Sequence, residues 1–411
     1  MRYQFIKHCV FLILVFVCSY TIIAQDTDTT TEDFEPAYYR DYQFLIGGWG
    51  DVQNAVTNSR TLSKMLFDAY YRLAAPAITN MFLRESIGAL WSFSVTWLSS
   101  MAPHELGHFF RANEVNATFW IEGLGFPGPV GHIVFPATKT KEDELAFVTG
   151  GIEVNTLYAM NVQKDWYRYN GLFNDEIFVT LFHRIIFPAY AFFVDPAVPA
   201  NWRDANGNDI ALGDVASVAR LVFERQNKPV LLTDGSVNPE LVTYYNATKW
   251  VSLLVNLLDL NTYYEAAALF SGETNGKNAP WLFGNSTWGY SYGLFTTVAQ
   301  LGTEIYFYNY AALNRHSVNI YLRYGFPLKN MGIGLTLFDL VKFSFLSLDM
   351  SIHLWTQEYC DFGGAVEGTL YIPLTKRWSL CMLGRWKTLG YMLGLPIKEG
   401  FSAMAGILYN W

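Results

Sequence analysis

From Trp288 to the C-terminus the chain alternates apolar and polar residues with a period of two, and this pattern limits its folding more than any other feature. In "SVNIYLRYGF", Val318, Ile320, Leu322, Tyr324 and Phe326 share one face, opposite Ser317, Asn319, Tyr321 and Arg323. In "FLSLDMSIHLW", Leu346, Leu348, Met350, Ile352 and Leu354 oppose Ser347, Asp349, Ser351 and His353. Successive side chains of a strand point to opposite faces, so such segments become strands with one apolar and one polar side. About eight are readable, at 288–300, 303–312, 317–326, 331–339, 344–355, 364–373, 377–387 and 400–411.

Strands of this kind suit a soluble sandwich or a membrane barrel. Two properties of the strands favour the barrel. The apolar faces are rich in Leu, Ile and aromatics, while Arg323, Asp349, Glu367 and Arg385 lie opposite, where a wet or packed lumen would hold them. The segments are about 10 residues long, as a tilted strand needs to cross a bilayer. A third property is the ending, "FSAMAGILYNW", which alternates up to a terminal aromatic and resembles the C-terminal strand of bacterial outer-membrane barrels. That resemblance implies an outer-membrane location with the bilayer as partner. Composition agrees: charged residues are 16% of the 411, against about a quarter in soluble domains. The 26 Tyr and 13 Trp suit membrane interfaces. A net charge of −8 without a basic run argues against a nucleic-acid partner.

The N-terminus reads as an export signal over residues 1–24: Arg2 and Lys7, then "CVFLILVFVCSYTII", then Ala24 as the cleavage residue. An uncleaved anchor is the alternative. Residues 25–37 form an acidic, Thr-rich linker. Removal of the signal leaves Cys360 and Cys381, too few for a disulfide framework.

Residues 38–281 follow a helical period instead, with helices expected at 61–73, 81–98, 102–112, 144–162, 175–194, 211–226 and 240–270. Charges interrupt every apolar run before it reaches the roughly 18 residues of a membrane span. The expected architecture is therefore α+β: a mainly helical domain over 38–281, the linker around "GETNGKNAP", and an antiparallel barrel of about eight strands over 286–411. "DANGNDIALGD" at 204–214 spaces Asp204, Asn206 and Asn208 like a calcium loop but lacks the Gly at the sixth position and the Glu at the twelfth, and reads as a polar turn.

The chemistry concentrates in "SSMAPHELGHFFRAN". Residues four apart share a helix face, so His104 and His108 can present two imidazoles to one metal ion, zinc in the commonest setting of this spacing. Glu105 beside them can act as general base toward a metal-activated water. Glu153, on a following helix, is one candidate for a third ligand, giving a His-His-Glu set.

"HELGHFFRA" with Ala112, followed by "GLGFPGP", and the later "VTGGIEVNTLYA" resemble the site-2 protease family of zinc peptidases. The resemblance covers about 60 residues. It implies peptide hydrolysis, with Gly150, Gly151, Asn155 and Ala159 as the second helix motif. Asn155 would hold a substrate strand or the developing oxyanion. The family's last ligand is an Asp in an "NLLP…LDG" segment; "VNLLDLNTYYEA" offers Asp259 without the flanking Pro and Gly. Asp259 and Glu153 thus stand as alternatives. His132, His183 and His353 read as structural. Two functions follow as expectations: a zinc-dependent peptidase of peptide or protein substrates, or a non-catalytic outer-membrane protein whose helical part binds a partner or plugs a barrel.

Overall fold

The computed structural model describes residues 41–46, 51–124, 129–202, 213–271, 276–285, 287–313 and 316–410. The segments read as signal peptide (1–24) and linker (25–37), most of "DANGNDIALGD" and the centre of "GLGFPGP" lie outside these residues. The architecture is α+β, with the helices in the N-terminal part and a large antiparallel sheet made mainly by the C-terminal part. After strand β1 (Asp41–Ile46) come helices α1 (Val52–Asp68) and α2 (Met81–Glu114), then the hairpin β2 (Thr118–Leu124) and β3 (Pro129–Val134). Helices α3 (Lys141–Arg168), α4 (Asn174–Phe193), α5 (Asp214–Arg225), α6 (Pro239–Leu258) and α7 (Leu260–Ser271) follow. Short strands β4 (Gly171–Phe173) and β5 (Gly276–Asn278) pair with each other. The sheet strands are β6 (Phe283–Gly284), β7 (Trp288–Ala299), β8 (Gly302–Leu313), β9 (His316–Pro327), β10 (Asn330–Phe343), β11 (Leu346–Gln357), β12 (Cys360–Pro373), β13 (Trp378–Lys387) and β14 (Gly400–Asn410).

Helix boundaries differ from the sequence reading in several places: α1 begins at Val52 rather than 61, α3 spans Lys141–Arg168 rather than 144–162, and two further segments join or break. The segments expected at 81–98 and 102–112 are one helix, α2, with Pro103 inside it. Proline forfeits one backbone bond there, which the buried packing of Ser99, Ser100, Pro103 and His104 offsets. The segment expected at 240–270 breaks at Asp259, whose extended backbone ends α6 and whose Oδ1 accepts from the Asn261 amide at 3.1 Å to start α7. Among the described residues, α4 alone is long and apolar enough to cross a membrane by length and composition, and 56% of its apolar window is buried inside the protein.

The barrel expectation is corrected. Strands β7 to β14 match the eight segments read from the alternation, but the ten-stranded sheet, ordered from β1 through β14 to β6, is not closed. The physical reason is β1. It comes from the part read as helical and pairs with β14, occupying the edge that β7 would need for closure. Helix side chains hydrogen-bond to backbone groups on both free edges. On β1, Asn58 accepts from the Leu45 amide (2.9 Å) and donates to its carbonyl (3.1 Å). Thr61 does the same for Gln43 (3.0 and 2.6 Å), and Lys64 donates to the Asp41 carbonyl (2.6 Å). On β7, Arg184 donates to the Leu294 carbonyl (2.9 Å) and Asn261 to the Tyr292 carbonyl (2.8 Å).

The sheet curves around α3. Every residue from 149 to 160 of that helix is buried, as for a helix enclosed on all sides. It meets the polar face of the strands: Tyr310 donates to Gln163 Oε1 (2.8 Å), and Arg168 pairs with Asp349 (2.7 and 2.9 Å). Ser317, Asn319, Tyr321, Arg323 and Arg385 of that face are buried, while Leu322, Tyr324, Trp386 and Phe401 of the other face are more than half exposed. The helical and strand parts share one core, in which Val154, Tyr158 and Trp166 pack with Tyr306, Tyr308 and Trp355.

Candidate metal centre

Helices α2 and α3 approach closely enough to need glycines. A Cβ on Gly107 would lie 2.1 Å from the Gly150 carbonyl oxygen, and one on Gly150 would lie 2.6 Å from that of Gly107. At the next residue, a Cβ on Gly151 would sit 2.5 Å from His104 Nε2 and 2.6 Å from His108 Nε2. The Gly pair thus does two jobs: Gly150 lets the backbones touch, and Gly151 leaves room for two imidazoles between the helices.

Both imidazoles are oriented by their Nδ1 atoms. His104 Nδ1 lies 2.7 Å from Asn155 Oδ1, and His108 Nδ1 lies 2.8 Å from the Phe147 carbonyl. Each partner only accepts, so each Nδ1 carries the proton and each Nε2 turns its lone pair to the interior. The two Nε2 atoms are 3.3 Å apart, and Asp214 Oδ2 lies 2.9 Å from that of His104 and 3.3 Å from that of His108. A tetrahedral ion with ligands at roughly 2.0–2.1 Å holds its ligand atoms roughly 3.3 Å apart, so this triangle has the size of one face of such a site. A single proton on His108 leaves His104 Nε2 and the carboxylate opposed as two acceptors, whereas one cation satisfies all three atoms. His104, His108 and Asp214 therefore form a group able to hold a metal ion.

The electrostatics follow from the crowding. Burial would lower the His108 pKa, but the Asp214 charge and hydrogen bond outweigh it and lift the imidazole to about 9. Burial would raise Asp214, yet the two histidines hold it well below the ordinary carboxylate range. Glu105, next to His104 on α2, is 9% exposed. Burial raises its pKa, the histidines pull it back, and Asp214 adds to the rise. Strand β3 passes close over it, since a Cβ on Gly131 would stand 3.4 Å from Glu105 Oε2. The Tyr190 ring lies 5.4 Å from that of His104. Burial and the charges of Asp214 and Glu105 raise the Tyr190 phenol, so it keeps its proton.

The structure brings His104, Glu105, His108 and Asn155 together. Asn155 acts on the imidazole rather than at an open position: Oδ1 faces His104, while Nδ2 meets the Ser100 carbonyl (2.9 Å) and His183 Nδ1 (2.9 Å). Asp259 is not brought to the histidines. It is fully buried and pairs with Arg184 at 2.6 Å, at the α6–α7 break that it caps. An acid held by a buried guanidinium and by the helix end has no freedom to reach another site. Glu153 is likewise taken, bound through both oxygens by Arg111 (2.8 and 2.5 Å) and by the Gly394 amide (2.8 Å). His132 is exposed, stacked on Trp120 and paired with Glu122.

The residue missed was Asp214. It opens α5 directly after Gly213, whose φ of 80° turns the chain into the helix. It belongs to no motif with "HELGH", and the aspartate of "NLLDL" drew the assignment away. The helix expected at 211–226 was the available signal, because an acid in a helix first turn beside a polar turn is a natural ligand position.

No protein-family model, curated protein or solved structure matches the chain. The chemistry of the centre is therefore argued from its own geometry.

Proposed function

We propose that the chain is a zinc-dependent peptidase, with His104, His108 and Asp214 as the metal ligands. The observation that carries this is the triangle of Nε2, Nε2 and Oδ2 atoms, which one shared proton cannot satisfy, beside a buried carboxylate outside the ligand set. Two imidazoles and one carboxylate form a donor set suited to zinc and leave a position open. Bound zinc would supply a Lewis acid and a water of lowered pKa. Glu105 accepts the proton of the attacking water on its carboxylate and returns it to the leaving amine nitrogen. Burial raises its pKa, which strengthens the carboxylate as a base toward that water. Asn155 fixes the ring of His104, and the protonated phenol of Tyr190 belongs to a ring 5.4 Å from that imidazole.

We further propose that the protein is exported and held at the outer membrane through the apolar face of its sheet. That face is exposed while the polar face is buried, the reverse of a soluble sheet. A non-catalytic protein with α3 as a plug is the second reading, favoured by the enclosure of that helix. Purified wild type and Glu105→Gln separate the two. The peptidase reading expects one zinc per chain in both and hydrolysis of a quenched fluorescent peptide library by wild type only. A wild type that binds zinc but hydrolyses nothing, or a variant as active as wild type, overturns it.

A further inference from the structure

The free edges of the sheet and the outward surfaces of the helices bear on one problem. An open edge exposes backbone amides and carbonyls, which in hydrocarbon cost several kcal/mol each, so lipid-exposed sheets close on themselves. This sheet does not pair its ends, yet the described edge groups of Gln43 and Leu45 on β1, and the carbonyls of Tyr292 and Leu294 on β7, have helix side chains as partners.

From edge to edge the helices form a continuous path. α1 packs along β1. Trp91 of α2 donates to the Leu66 carbonyl of α1 (2.9 Å), and Phe67 of α1 meets Phe178 of α4 edge-on at 5.5 Å. Asn174 of α4 donates to the Ala268 carbonyl of α7 (3.1 Å), and Tyr292 of β7 donates to the Leu258 carbonyl of α6 (3.2 Å).

The outward faces of this path are apolar. Leu83, Ile87 and Leu90 of α2 are spaced i, i+4, i+7 and all exposed, as are Trp250, Leu254 and Leu257 of α6 at the same spacing. Helices covering a soluble core turn such stripes inward. Here the inward sides carry the buried ion pairs instead, Arg184 with Asp259 and Glu265, and Arg60 with Glu176.

We infer that the gap between β1 and β7 is closed by helices, giving one mixed wall of strands and helices around α3, and that lipid acyl chains cover this wall on its helical side as well as its strand side. The inference rests on the bilayer reading above and deepens it. Lipid is the occupant because exposed apolar side chains lie both on the strand face and on two separate helices, more than the single patch that marks a protein partner. The outward part of α2, residues 81–98, is about 27 Å long at 1.5 Å per residue, close to the roughly 30 Å of a hydrocarbon core. Its charges, Arg84 and Glu85, stand at one end. The bilayer segments are then strands β7 to β14 with the outward stretches of α2 and α6; His104, Glu105, His108 and Asp214 lie outside these segments.

Nitroxide labels on the full chain test this. Leu90→Cys and Leu254→Cys report the helices, and Leu322→Cys and Met382→Cys the sheet, each labelled protein being reconstituted in phospholipid vesicles. Spin relaxation by oxygen, which partitions into lipid, is compared with relaxation by a water-soluble nickel chelate. The inference expects all four labels to favour oxygen. Oxygen access at Leu322 and Met382 with nickel access at Leu90 and Leu254 overturns the helical closure and leaves the bilayer reading standing. Nickel access at all four overturns both.

Discussion

The substitution Gly151→Ala puts the geometry of the centre under the sharpest strain. Its Cβ would stand 2.5 Å from His104 Nε2 and 2.6 Å from His108 Nε2, where ordinary contact begins at 3.4 Å. The imidazoles must therefore retreat by about 0.8–0.9 Å. Metal–ligand distances tolerate only about 0.2 Å, so the movement is roughly four times what ligation allows, and at least one histidine leaves the ion. Zinc affinity should fall at least 100-fold, about 2.8 kcal/mol. The fold should survive, because alanine is the better helix former by about 1 kcal/mol and the clash falls on side chains that can swing. Competition with a chromophoric chelator gives the zinc Kd, and circular dichroism gives the melting temperature. A folded Gly151→Ala protein that binds zinc within about threefold of wild type refutes the placement of the two imidazoles against this glycine.

Asn155→Ala removes the acceptor that fixes the ring of His104. Zinc affinity should drop about 10–100-fold, as for other partners of metal-bound histidines, while the protein stays folded. An unchanged Kd in chelator competition would mean that Asn155 does not orient the ligand. With His108 at about 9 in the metal-free protein, zinc must displace its proton below that pH. Apparent affinity should then rise about tenfold per pH unit up to about pH 9 and level off above it. Isothermal titrations in buffers of different ionisation enthalpy count the released proton; a pH-independent Kd contradicts the coupling.

Much of the fold was legible because strand alternation is a local signal. The segments read at 303–312 and 317–326 differ from β8 and β9 by about one residue at each end. That the sheet stays open was not legible, because it depends on β1, six residues far from the rest of the sheet in sequence, and on the edge partners Asn58, Thr61, Arg184 and Asn261, which no periodicity marks. Pro103 suggested a helix boundary because a missing backbone donor is a local cost, while the packing that offsets it is tertiary. The centre divides the same way. His104, Glu105 and His108 are one turn of one helix and could be read directly. The third member of the group, Asp214, comes from another helix more than 100 residues on, and sequence spacing carries no information about it. The sequence showed several carboxylates but not the guanidinium partners that occupy Asp259 and Glu153.

The central claim is that Asp214, and neither of those acids, completes the centre. Zinc content per chain, measured by atomic emission on purified wild type, Asp214→Ala and Asp259→Asn, tests it most directly. The predicted result is one zinc per chain for wild type and Asp259→Asn, and almost none for Asp214→Ala. An Asp214→Ala protein with a full complement of zinc, or a folded Asp259→Asn protein that has lost it, would contradict the account.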